Sequence, residues 1–488
     1  MATAVNERSA TVEALGCDWP MLEALMGGTR KMRAAGEKFL PEWPGEDPTA
    51  YKKRLAVSTL FPAYRRTVSV MAGKPFSTPL TLSEDTPVEI AGIYDADGAK
   101  TQEGWADDID REGVNLHTFA AEMFRESFYG LCGILVDYPP VTKGPRPLTR
   151  QEERDGGLRP YFVRVMHNQL LGWKLSTELG PRKLTQLRIQ VNTTVDDGEF
   201  GEKALERVLV LEIGKWRLFE KRRVGKTDSW VQAKDGVTSL NYIPFVPIYG
   251  QRQGYMQGVC PLIDLAYKNV KHWQSQSDQD NILHVARVPI LFAKGLGDNP
   301  IAVGAGTAVK ADNAEYADLK FVEHSGAAIE AGANSLNDLE DQMIQAGAEL
   351  LVKKDGSRTA TESANDAEGN KTDLLRMVEG FEDSINLALY YLADYAKLGS
   401  GGKVKLFKDF TVSTLDQASG QLILTMQQGG LISKRRAISE LKRRGELVPE
   451  TDPDDEADEI ASEGPTLGTI TDNDAPPPKD EEPEAEAA

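Results

Sequence analysis

The stretch from Pro261 to Ala286 constrains the fold of this chain more than any other. After its first proline it contains no glycine and no second proline, so it predicts one unbroken helix about 39 Å long at 1.5 Å per residue. Its first half carries an apolar stripe that includes Leu262, Val270 and Trp273, whereas Gln274–Asn281 is almost wholly polar. A polar helix must either be solvated or pack laterally against another polar surface.

Two more long helices follow, and a short β-rich insert precedes them. Within the insert, Val288–Ala293 and Ala317–Val322 are predicted to be strands. Apolar residues at 3.5-residue spacing predict a helix over Ile329–Val352, and a third helix is predicted over Thr361–Lys397. The polar segment Lys353–Arg358 separates these two helices.

The chain before Pro261 predicts a mixture of helices and strands. A helix over Tyr51–Ala72 should be split at Pro62, because proline has no N–H to donate, and Gly73 should end it. Residues 1–50 have a mixed composition that predicts no particular element. The remaining predictions are a strand at Pro75–Leu82, a helix at Asn115–Tyr129, a strand at Ile134–Tyr138, a β-rich stretch at Arg159–Trp216, a hairpin around Gly225–Ser229 and an extended segment at Ile243–Tyr249.

The chain ends in a strongly acidic stretch. Before it, Val404–Phe410 is predicted to be a strand, and Asp416–Gln427 and Ser433–Arg444 are predicted to be short helices. Pro449–Ala488 holds 15 acidic residues and one lysine, which is −14 of the net charge of −19, and its composition predicts disorder. The rest of the chain therefore carries only −5, so any contact with nucleic acid must be local or weak.

Composition excludes several classes of protein. With 40% apolar and 27% charged residues, most of the chain can bury a core. Three cysteines without a CxxC pair exclude a disulfide scaffold and fit a reducing cytoplasm. No apolar run has the length of a transmembrane helix, and Met1–Gly16 lacks the pattern of a secretory signal, so no membrane partner is expected.

Phosphate-binding and dinucleotide motifs are absent on inspection. Gly225-Lys226-Thr227 matches the end of a P-loop, but Glu220 stands where the leading glycine belongs and would repel phosphate. Gly304-Ala305-Gly306 lacks the third glycine of a dinucleotide fingerprint. Both are more simply turns.

Titratable residues give no catalytic signature either. No two of the five histidines have HExxH spacing, and His272 and His284 are too far apart on their helix to hold one metal, so we expect them to be solvated or at an interface. Asp107, Asp108 and Asp110 are expected in a surface loop or at a helix N-terminus. No catalytic residue, cofactor or metal is therefore expected, and the chain is not predicted to be an enzyme.

Basic residues cluster in two places. The first cluster is Lys353, Lys354 and Arg358, between two long helices. The second lies on one short helix and comprises Lys434, Arg435, Arg436, Lys442, Arg443 and Arg444. In a single chain these are a solvated loop and a solvated helix face. In a ring each cluster repeats around the central axis, so that a weak local charge becomes a collar.

Four stretches carry a resemblance to a known family. They are Tyr51-Lys52-Lys53-Arg54 through Thr67 to Gly73-Lys74-Pro75-Phe76; Ile109-Asp110 and Gly113-Val114-Asn115-Leu116 through Gly130-Leu131-Cys132-Gly133-Ile134-Leu135-Val136-Asp137-Tyr138-Pro139; Arg159-Pro160-Tyr161 with Gly172-Trp173; and Ile243-Pro244-Phe245-Val246 followed by Pro261-Leu262-Ile263-Asp264-Leu265-Ala266. In order and spacing they resemble tailed-bacteriophage portal proteins, and more narrowly a portal-like family long known only as a domain of unknown function.

The resemblance runs from about Tyr51 to Glu459 and implies an α+β, portal-like protomer. The implied parts are an N-terminal extension (1–50), an α/β wing (51–258), a first stem helix (259–286), a small β-containing clip (287–328), a second stem helix (329–352), a tunnel loop (353–360), a long kinked wing helix (361–398), a small helical crown (399–448) and a disordered acidic tail (449–488).

The resemblance also implies a function and partners. A portal ring of about twelve identical subunits conducts genomic double-stranded DNA through one capsid vertex during packaging and ejection. It docks terminase first and a head–tail adaptor or neck protein afterwards. Further implied partners are the major capsid and scaffolding proteins, and the implied locations are the virion and, during assembly, the host cytoplasm.

Residue roles follow from the same resemblance. Lys353, Lys354 and Arg358 would contact DNA phosphates from the tunnel loop without reading bases. In the clip, Lys294, Lys310 and Lys320 would face either DNA or a partner protein. The crown would carry the basic helix Lys434–Arg444.

Two other hypotheses remain open. A non-channel adaptor or scaffold of the virion would bind proteins through the long helices and would be a monomer or dimer. An enzyme with a diffuse active site would need a deep pocket with converging titratable groups. A ring instead needs head-to-tail contacts that close.

Overall fold

The computed structural model describes residues 4–95, 100–139, 157–176, 182–224, 227–286, 290–294, 318–322, 326–348, 360–408, 427, 433–443 and 456. The chain divides into two compact units, residues 1–408 and 409–488. The fold class is α+β, as predicted, and the strand pairs in the described residues are all antiparallel.

The helices occur in three groups along the first unit, with one more in the second. In chain order they are α1 Ala10–Leu15, α2 Trp19–Met26, α3 Gly28–Ala35, α4 Pro48–Val57, α5 Ala63–Gly73, α6 Val88–Ala91, α7 Leu116–Glu126, α8 Ile263–Ala286, α9 Ala327–Met343, α10 Ala360–Ala396 and, in the second unit, α11 Lys434–Arg443.

The strands form small sheets and hairpins. They are β1 Thr81–Leu82, β2 Ile93–Tyr94, β3 Lys100–Gln102, β4 Leu131–Asp137, β5 Tyr161–Val165, β6 Leu170–Leu175, β7 Leu184–Gln190, β8 Thr193–Asp196, β9 Glu202–Leu205, β10 Arg207–Glu212, β11 Lys215–Val224, β12 Thr227–Val237, β13 Phe245–Tyr249, β14 Gln251–Gly254, β15 Gln257–Val259, β16 Ile290–Lys294, β17 Asp318–Val322 and β18 Val404–Lys405.

One hydrophobic core joins the two larger sheets. The five-stranded sheet has the order β12-β11-β10-β7-β6, and the three-stranded sheet has the order β13-β4-β5. Leu135 of β4 and Phe245 of β13 are packed in one cluster with Leu170 and Leu187 of the larger sheet. The β-rich region predicted at Arg159–Trp216 is confirmed. The predicted hairpin forms from β11 and β12, and Thr227 begins a strand instead of the helix that a P-loop requires.

The first 50 residues are more regular than the sequence predicted. They contain α1, α2 and α3, whose buried side chains include Trp19, Leu22, Leu25 and Met32. Helices of six to eight residues are marginal alone, so burial of these apolar side chains stabilises them. The segment is therefore an integral part of the first unit.

Pro62 divides a helical stretch as predicted. Helix α4 ends at Val57, and α5 begins at Ala63 and ends at Gly73. The predicted helix at Asn115–Tyr129 is also confirmed: Asn115 caps α7 by accepting a hydrogen bond from the N–H of Thr118 at 2.8 Å.

Two predicted strands were too long. Lys74–Phe76 forms a 3₁₀ turn, so only Thr81–Leu82 of the predicted Pro75–Leu82 is a strand. Its only partner in the described residues is β18, and the pairing is limited to Thr81 with Lys405 and Leu82 with Val404. The second strand is β18, predicted as Val404–Phe410 and observed as Val404–Lys405. A two-residue ribbon needs no continuous apolar alternation, and this is why periodicity overestimated both β1 and β18.

The three long helices lie close to their predicted bounds, with one correction. Helix α8 spans 24 residues and α10 spans 37. Helix α9 ends at Met343 and continues as a π-helical turn, Ile344–Ala348, instead of remaining α-helical through that stretch of the predicted Ile329–Val352. Gly347 has a φ of 113°, which right-handed helix cannot accommodate, so the α-helix stops before it.

Candidate functional site

Four polar side chains of α8 are buried inside the chain, two of them in the polar segment Gln274–Asn281, whose other residues are partly exposed. Asn269 and His272 are 0% and 1% exposed, and Ser277 and Gln279 are also buried. Both environments predicted for this helix occur: the buried side chains pack laterally against polar surfaces, and the Asp278 side chain is 47% exposed. The partners are α4 and α5 on one side and α9 on the other.

Asn269 joins α8 to the break between α4 and α5. Its Oδ1 accepts a hydrogen bond from the N–H of Tyr64 at 3.0 Å, and its Nδ2 donates to the carbonyl of Phe61 at 2.9 Å. Pro62 interrupts the helix, so nearby backbone N–H and C=O groups lack helical hydrogen-bond partners. The buried Asn269 amide supplies a partner for one such N–H and one such C=O. Further along the same helix, Ser58 donates to Ser277 at 2.9 Å.

Hydrogen bonds at both ends join α8 to α9. Gln279 Nε2 donates to the carbonyl of Ile329 at 2.9 Å, and Lys268 Nζ donates to Gln342 Oε1 at 2.9 Å. A side chain at Gly332 would meet the Gln279 amide, because its Cβ would lie 2.0 Å from Oε1. The two helices therefore pack closely, and polar side chains join them.

His272 lies between these contacts and corrects the expectation of a solvated or interface histidine. Its ring is 5.3 Å from the Phe61 ring, and its Nε2 lies 3.4 Å from Glu340 Oε1, but neither ring nitrogen makes a hydrogen bond within the described residues. Burial lowers the pKa of His272 below 6.5, and the nearby Glu340 carboxylate partly opposes this shift. At neutral pH the ring is uncharged.

The outer face of α9 is acidic. The helix contains no lysine or arginine. Glu330 and Asp338, two turns apart, are both exposed. Asn334, Asn337 and Asp341 are exposed on the same face at i+4, i+7 and i+11 from Glu330. This face is negative and rich in amides.

The hairpin β16–β17 stands between α8 and α9 in the chain. Its register runs from Ile290 opposite Val322 to Lys294 opposite Asp318. Of the predicted clip residues, Lys294 is exposed at the end of β16, and Lys320 lies in β17 opposite Phe292. Lys310 lies outside the described residues, as does the Gly304-Ala305-Gly306 turn.

The predicted tunnel loop adjoins the π-helical turn Ile344–Ala348. Lys353, Lys354 and Arg358 all lie outside the described residues. The structure therefore fixes only the two flanks of this segment, the turn that contains Gly347 and the first residue of α10, Ala360.

A cleft of about 1290 Å³ opens beside these elements. It is bounded by β13, the start of α8, the π-helical turn and α10. Apolar side chains such as Leu262 and Met377 line it together with charged ones such as Lys268 and Arg376. No histidine or cysteine is among the described residues that line it.

The converging titratable side chains that sequence reasoning missed lie elsewhere. His167 is 4% exposed; its Nδ1 lies 2.5 Å from Glu126 Oε1 and its Nε2 lies 3.1 Å from Glu23 Oε1. Its ring stacks on Tyr129 at 3.7 Å between centroids. In the described part of the chain no serine, threonine or cysteine hydrogen bonds to His167, so the cluster has a base without a nucleophile. It joins α2 to α7 and to the turn before β6.

Of the acidic cluster near Trp105, Asp107 and Asp108 lie in a surface turn, as predicted, whereas Asp110 is buried, and each carboxylate has its own cation. Asp107 pairs with Lys100 at 2.6 Å, Asp108 with Arg159 at 2.8 Å, and Asp110 with Arg164 at 3.0 Å. Asp110 also accepts from the N–H groups of Glu112 and Val114. The cluster thus fixes a loop.

The basic helix of the second unit is α11. Ser433 caps it by accepting a hydrogen bond from the N–H of Arg436 at 3.2 Å, as predicted. Lys434, Arg435 and Arg436 are exposed, and Ala437 and Ile438 are buried. Lys442 and Arg443 occupy its last turn, and Arg444 lies outside the described residues.

The described residues form neither a metal site nor a membrane-spanning helix. Within the described ranges, no group of three or more histidine, cysteine or acidic side chains has the geometry of a metal site. Nor does any helix in those ranges combine the length and apolarity needed to cross a bilayer. Cys17, Cys132 and Cys260 are all free thiols, and burial raises the pKa of Cys260 to about 11.

Comparison with known proteins gives one family match. Residues 261–396, from the start of α8 to the end of α10, match the model of a family described as a domain of unknown function, DUF4055. This is less than half of the chain. No curated protein matches.

Two solved structures align over most of the chain at low similarity. The neck of a native GTA particle, computed with C12 symmetry, aligns at 13% identity over 78% of this chain and 89% of that chain, with a TM-score of 0.37. The virion of a native gene transfer agent particle aligns at 13% identity over 85% and 98%, with a TM-score of 0.39. At TM-scores below 0.5 these alignments do not establish a common fold.

Proposed function

We propose that this chain is a bacteriophage portal protein, which assembles into a ring at one capsid vertex and conducts double-stranded DNA during packaging and ejection. In this proposal it docks terminase first and a neck or adaptor protein afterwards. The ring contains about twelve copies of the chain, and the whole assembly belongs to the virion.

The observation that carries the proposal is the arrangement of α8, the hairpin β16–β17 and α9. Two long helices bound a small antiparallel hairpin and are joined side by side through Gln279–Ile329 and Lys268–Gln342. A kink at Gly347 and the 37-residue α10 follow. This order is the one that the sequence resemblance assigns to the stem, clip and wing helix of a portal.

The charge on α9 suits a channel through which DNA slides. A duplex carries one negative charge per about 1.7 Å of axis, so a basic lining would bind it and hold it. Glu330 and Asp338 present carboxylates on the exposed face, with amides between them. We assign this face to the channel. Its carboxylates would keep phosphates at a distance and its amides would stay hydrated.

In this proposal, weak positive charge lies in two short segments, the tunnel loop and the clip. Lys353, Lys354 and Arg358 form the tunnel-loop contacts to phosphates, without base recognition. In the clip, Lys294, Lys310 and Lys320 face DNA or the docked terminase and neck proteins. The basic residues of α11 lie in the crown.

The ring itself requires heterologous contacts, in which one face of a protomer meets a different face of its neighbour. The cleft between α8 and α10 is a suitable half of such a contact, because it is concave, partly apolar and rimmed by charges of both signs. Filling it with a neighbouring subunit would bury the half-exposed Met377, which lines it.

Negative-stain electron microscopy of the purified chain, with the mass measured on the same sample, tests the proposal. Rings of about twelve subunits with an open centre are expected, either for the chain alone or after capsid and scaffolding proteins are added. A compact small oligomer without a hole, unchanged by those additions, would overturn the proposal and favour a non-channel adaptor.

A further inference from the structure

We propose that the acidic C-terminal stretch of this chain covers the basic face of α11 and keeps that helix from binding DNA non-specifically. The proposal concerns the second unit alone. It goes beyond the channel function, because it assigns an occupant to a charged surface that no step of DNA conduction needs.

The first observation is the division of α11 into two faces. Ala437 and Ile438 are 4% and 6% exposed, so the helix already packs through one side. Arg435 and Arg436 are exposed on the first turn, and Lys442 and Arg443 follow each of them by seven residues. Seven residues are nearly two turns, so Arg443 shares the face of Arg436, away from Ala437 and Ile438. Lys442 follows Ile438 by four residues and borders the buried side.

The second observation is charge complementarity within one chain. Between Lys434 and Arg444 the sequence has six basic residues and one acidic residue, Glu440. The first acidic block beyond the helix, between Asp452 and Glu459, has six acidic residues and no basic one. Opposite charges of this density attract at physiological salt over about 8 Å, the Debye length there.

The third observation is the short tether. Helix α11 has ten residues, a length of about 15 Å at 1.5 Å per residue. Eight residues separate Arg443 from Asp452, and an extended segment of that length reaches at most about 30 Å. The block can therefore reach any turn of α11. A tether of this length gives an effective concentration in the millimolar range, so a weak electrostatic contact is sufficient.

The chemistry of the surface would otherwise favour DNA. A row of guanidinium and ammonium groups along a helix is the usual electrostatic footprint for a phosphate backbone. With the acidic block in place, DNA phosphates must compete for α11 with carboxylates that are tethered to the same chain. This restrains a basic helix that would bind any nucleic acid in the host before assembly.

Zero-length carbodiimide cross-linking of the full-length chain tests the contact directly, because it joins only lysines and carboxylates that touch. Lys434 and Lys442 should be linked to peptides from 452–459 at low salt, and 1 M salt should abolish the links. The exposed Lys183 and Lys203 of the first unit are internal controls and should not link to that block. Equal linking to all four lysines, or none to Lys434 and Lys442, would overturn the proposal.

A mixture of isotopically light and heavy chains identifies the occupant. Links within one isotopic form are expected, since the tether argument places the block on its own helix. Links that predominantly join light to heavy chains would overturn that arrangement and assign the tail to a neighbouring copy.

DNA binding tests the consequence. In the full-length chain the proximal block is neutralised by D452N, D454N, D455N, E456Q, D458N and E459Q. A matched control neutralises the distal block by D480N, E481Q, E482Q, E484Q and E486Q. Fluorescence anisotropy with a 30-bp duplex of arbitrary sequence should give at least about tenfold tighter binding for the proximal variant and a smaller change for the control.

Adding R435Q, R436Q and K442Q to the proximal variant should remove the gain. An unchanged DNA affinity in the proximal variant, or a gain that survives loss of the three cations, would overturn the masking role. None of these measurements needs a ring, so their failure and the failure of the portal proposal are distinguishable.

Discussion

The guanidinium of Arg54 makes two hydrogen bonds to the carboxylate of Glu46, at 2.8 Å from Nε to Oε1 and at 2.7 Å from Nη2 to Oε2. Both side chains are buried, at 4% and 6% exposure. Arg54 also donates to the carbonyl of Pro41 at 2.9 Å and lies 4.1 Å from the centroid of the Trp43 ring. This pair attaches residues 41–46 to α4, beside the buried Ser277 of α8.

Removing one partner of this pair should destabilise the first unit. Arg54→Met leaves the Glu46 carboxylate buried without its cation, which costs about 3–5 kcal/mol. The urea midpoint, followed by tryptophan fluorescence, should fall accordingly. The exposed pair Arg376–Asp373 of α10 supplies the control, since its side chains are 70% and 66% exposed. Arg376→Ala should change the free energy of unfolding by less than about 0.5 kcal/mol. Equal midpoints for the two variants would contradict the role of the buried pair.

Two glycines in neighbouring elements should respond oppositely to alanine. At Gly347 the φ of 113° is strained for alanine, and the added Cβ would lie 3.1 Å from Leu262 Cδ2. Gly347→Ala should therefore destabilise by about 1–3 kcal/mol. At Gly380, inside α10, an added Cβ meets nothing within 4 Å, so Gly380→Ala should stabilise by about 1 kcal/mol. Thermal melts of both variants check this, and a stabilised Gly347→Ala would refute the kink.

The buried His272 predicts a loss of stability in mild acid. Its folded-state pKa is below 6.5 because of burial, so the unfolded chain binds the proton more tightly. The stability that it contributes is complete above about pH 6.5 and is lost as the pH falls toward the folded-state pKa. Urea midpoints measured between pH 7.5 and 5 should fall less steeply for His272→Gln than for the parent chain.

Two further variants sharpen that measurement. Glu340 partly offsets the burial of His272, so Glu340→Gln should lower the pKa of His272 further and steepen the loss of stability. His284, exposed on the same helix, is the matched control, and His284→Gln should follow the parent. A His272→Gln curve that coincides with the parent would show that another group titrates.

The acidic face of α9 gives a prediction that rests on the portal function. Glu330→Lys with Asp338→Lys would place cations along the proposed channel face of every subunit, where they would hold phosphates. Packaged DNA per capsid should fall at least about tenfold, and raising the salt should partly restore it. The neutral variant Glu330→Gln with Asp338→Asn keeps the shape and should package nearly normally. Full packaging by the lysine variant would remove this face from the channel.

The tunnel-loop assignment predicts the effect of removing cations, whereas the α9 variants add them. Replacing Lys353, Lys354 and Arg358 with glutamine removes the proposed phosphate contacts, so filled capsids should lose DNA faster after packaging stops. Packaging yield and DNA retention are both measured. If both match the parent, these three residues have no part in holding DNA.

The sequence predicted the elements whose signal is local. Pro62 breaks a helix wherever it falls in one, and the uninterrupted run after Pro261 left few alternatives to α8. The end of α9 was less predictable, because one glycine at position 347 decides it and Gly332, in the same helix, does not end it. The difference lies in the φ of Gly347, which the sequence pattern does not report.

Most of the candidate site could not be predicted for the same physical reason. Asn269 and Gln279 look like solvated residues in the sequence, and their partners are 205 and 50 residues away. Likewise His167 and Glu126 are 41 residues apart and belong to different elements. Patterns of spacing report which face of one helix is apolar, and they cannot report which polar faces meet.

The pairing of β1 with β18 has a consequence for how the chain is made. The N–H of Lys403 donates to Ser83, and 320 residues separate the two. At 5–20 residues per second, a ribosome needs about 16–64 s to synthesise that interval. During this time β1 has no partner strand. Among the described strands, β1 therefore gains its partner only after the segment that follows α10 has been synthesised.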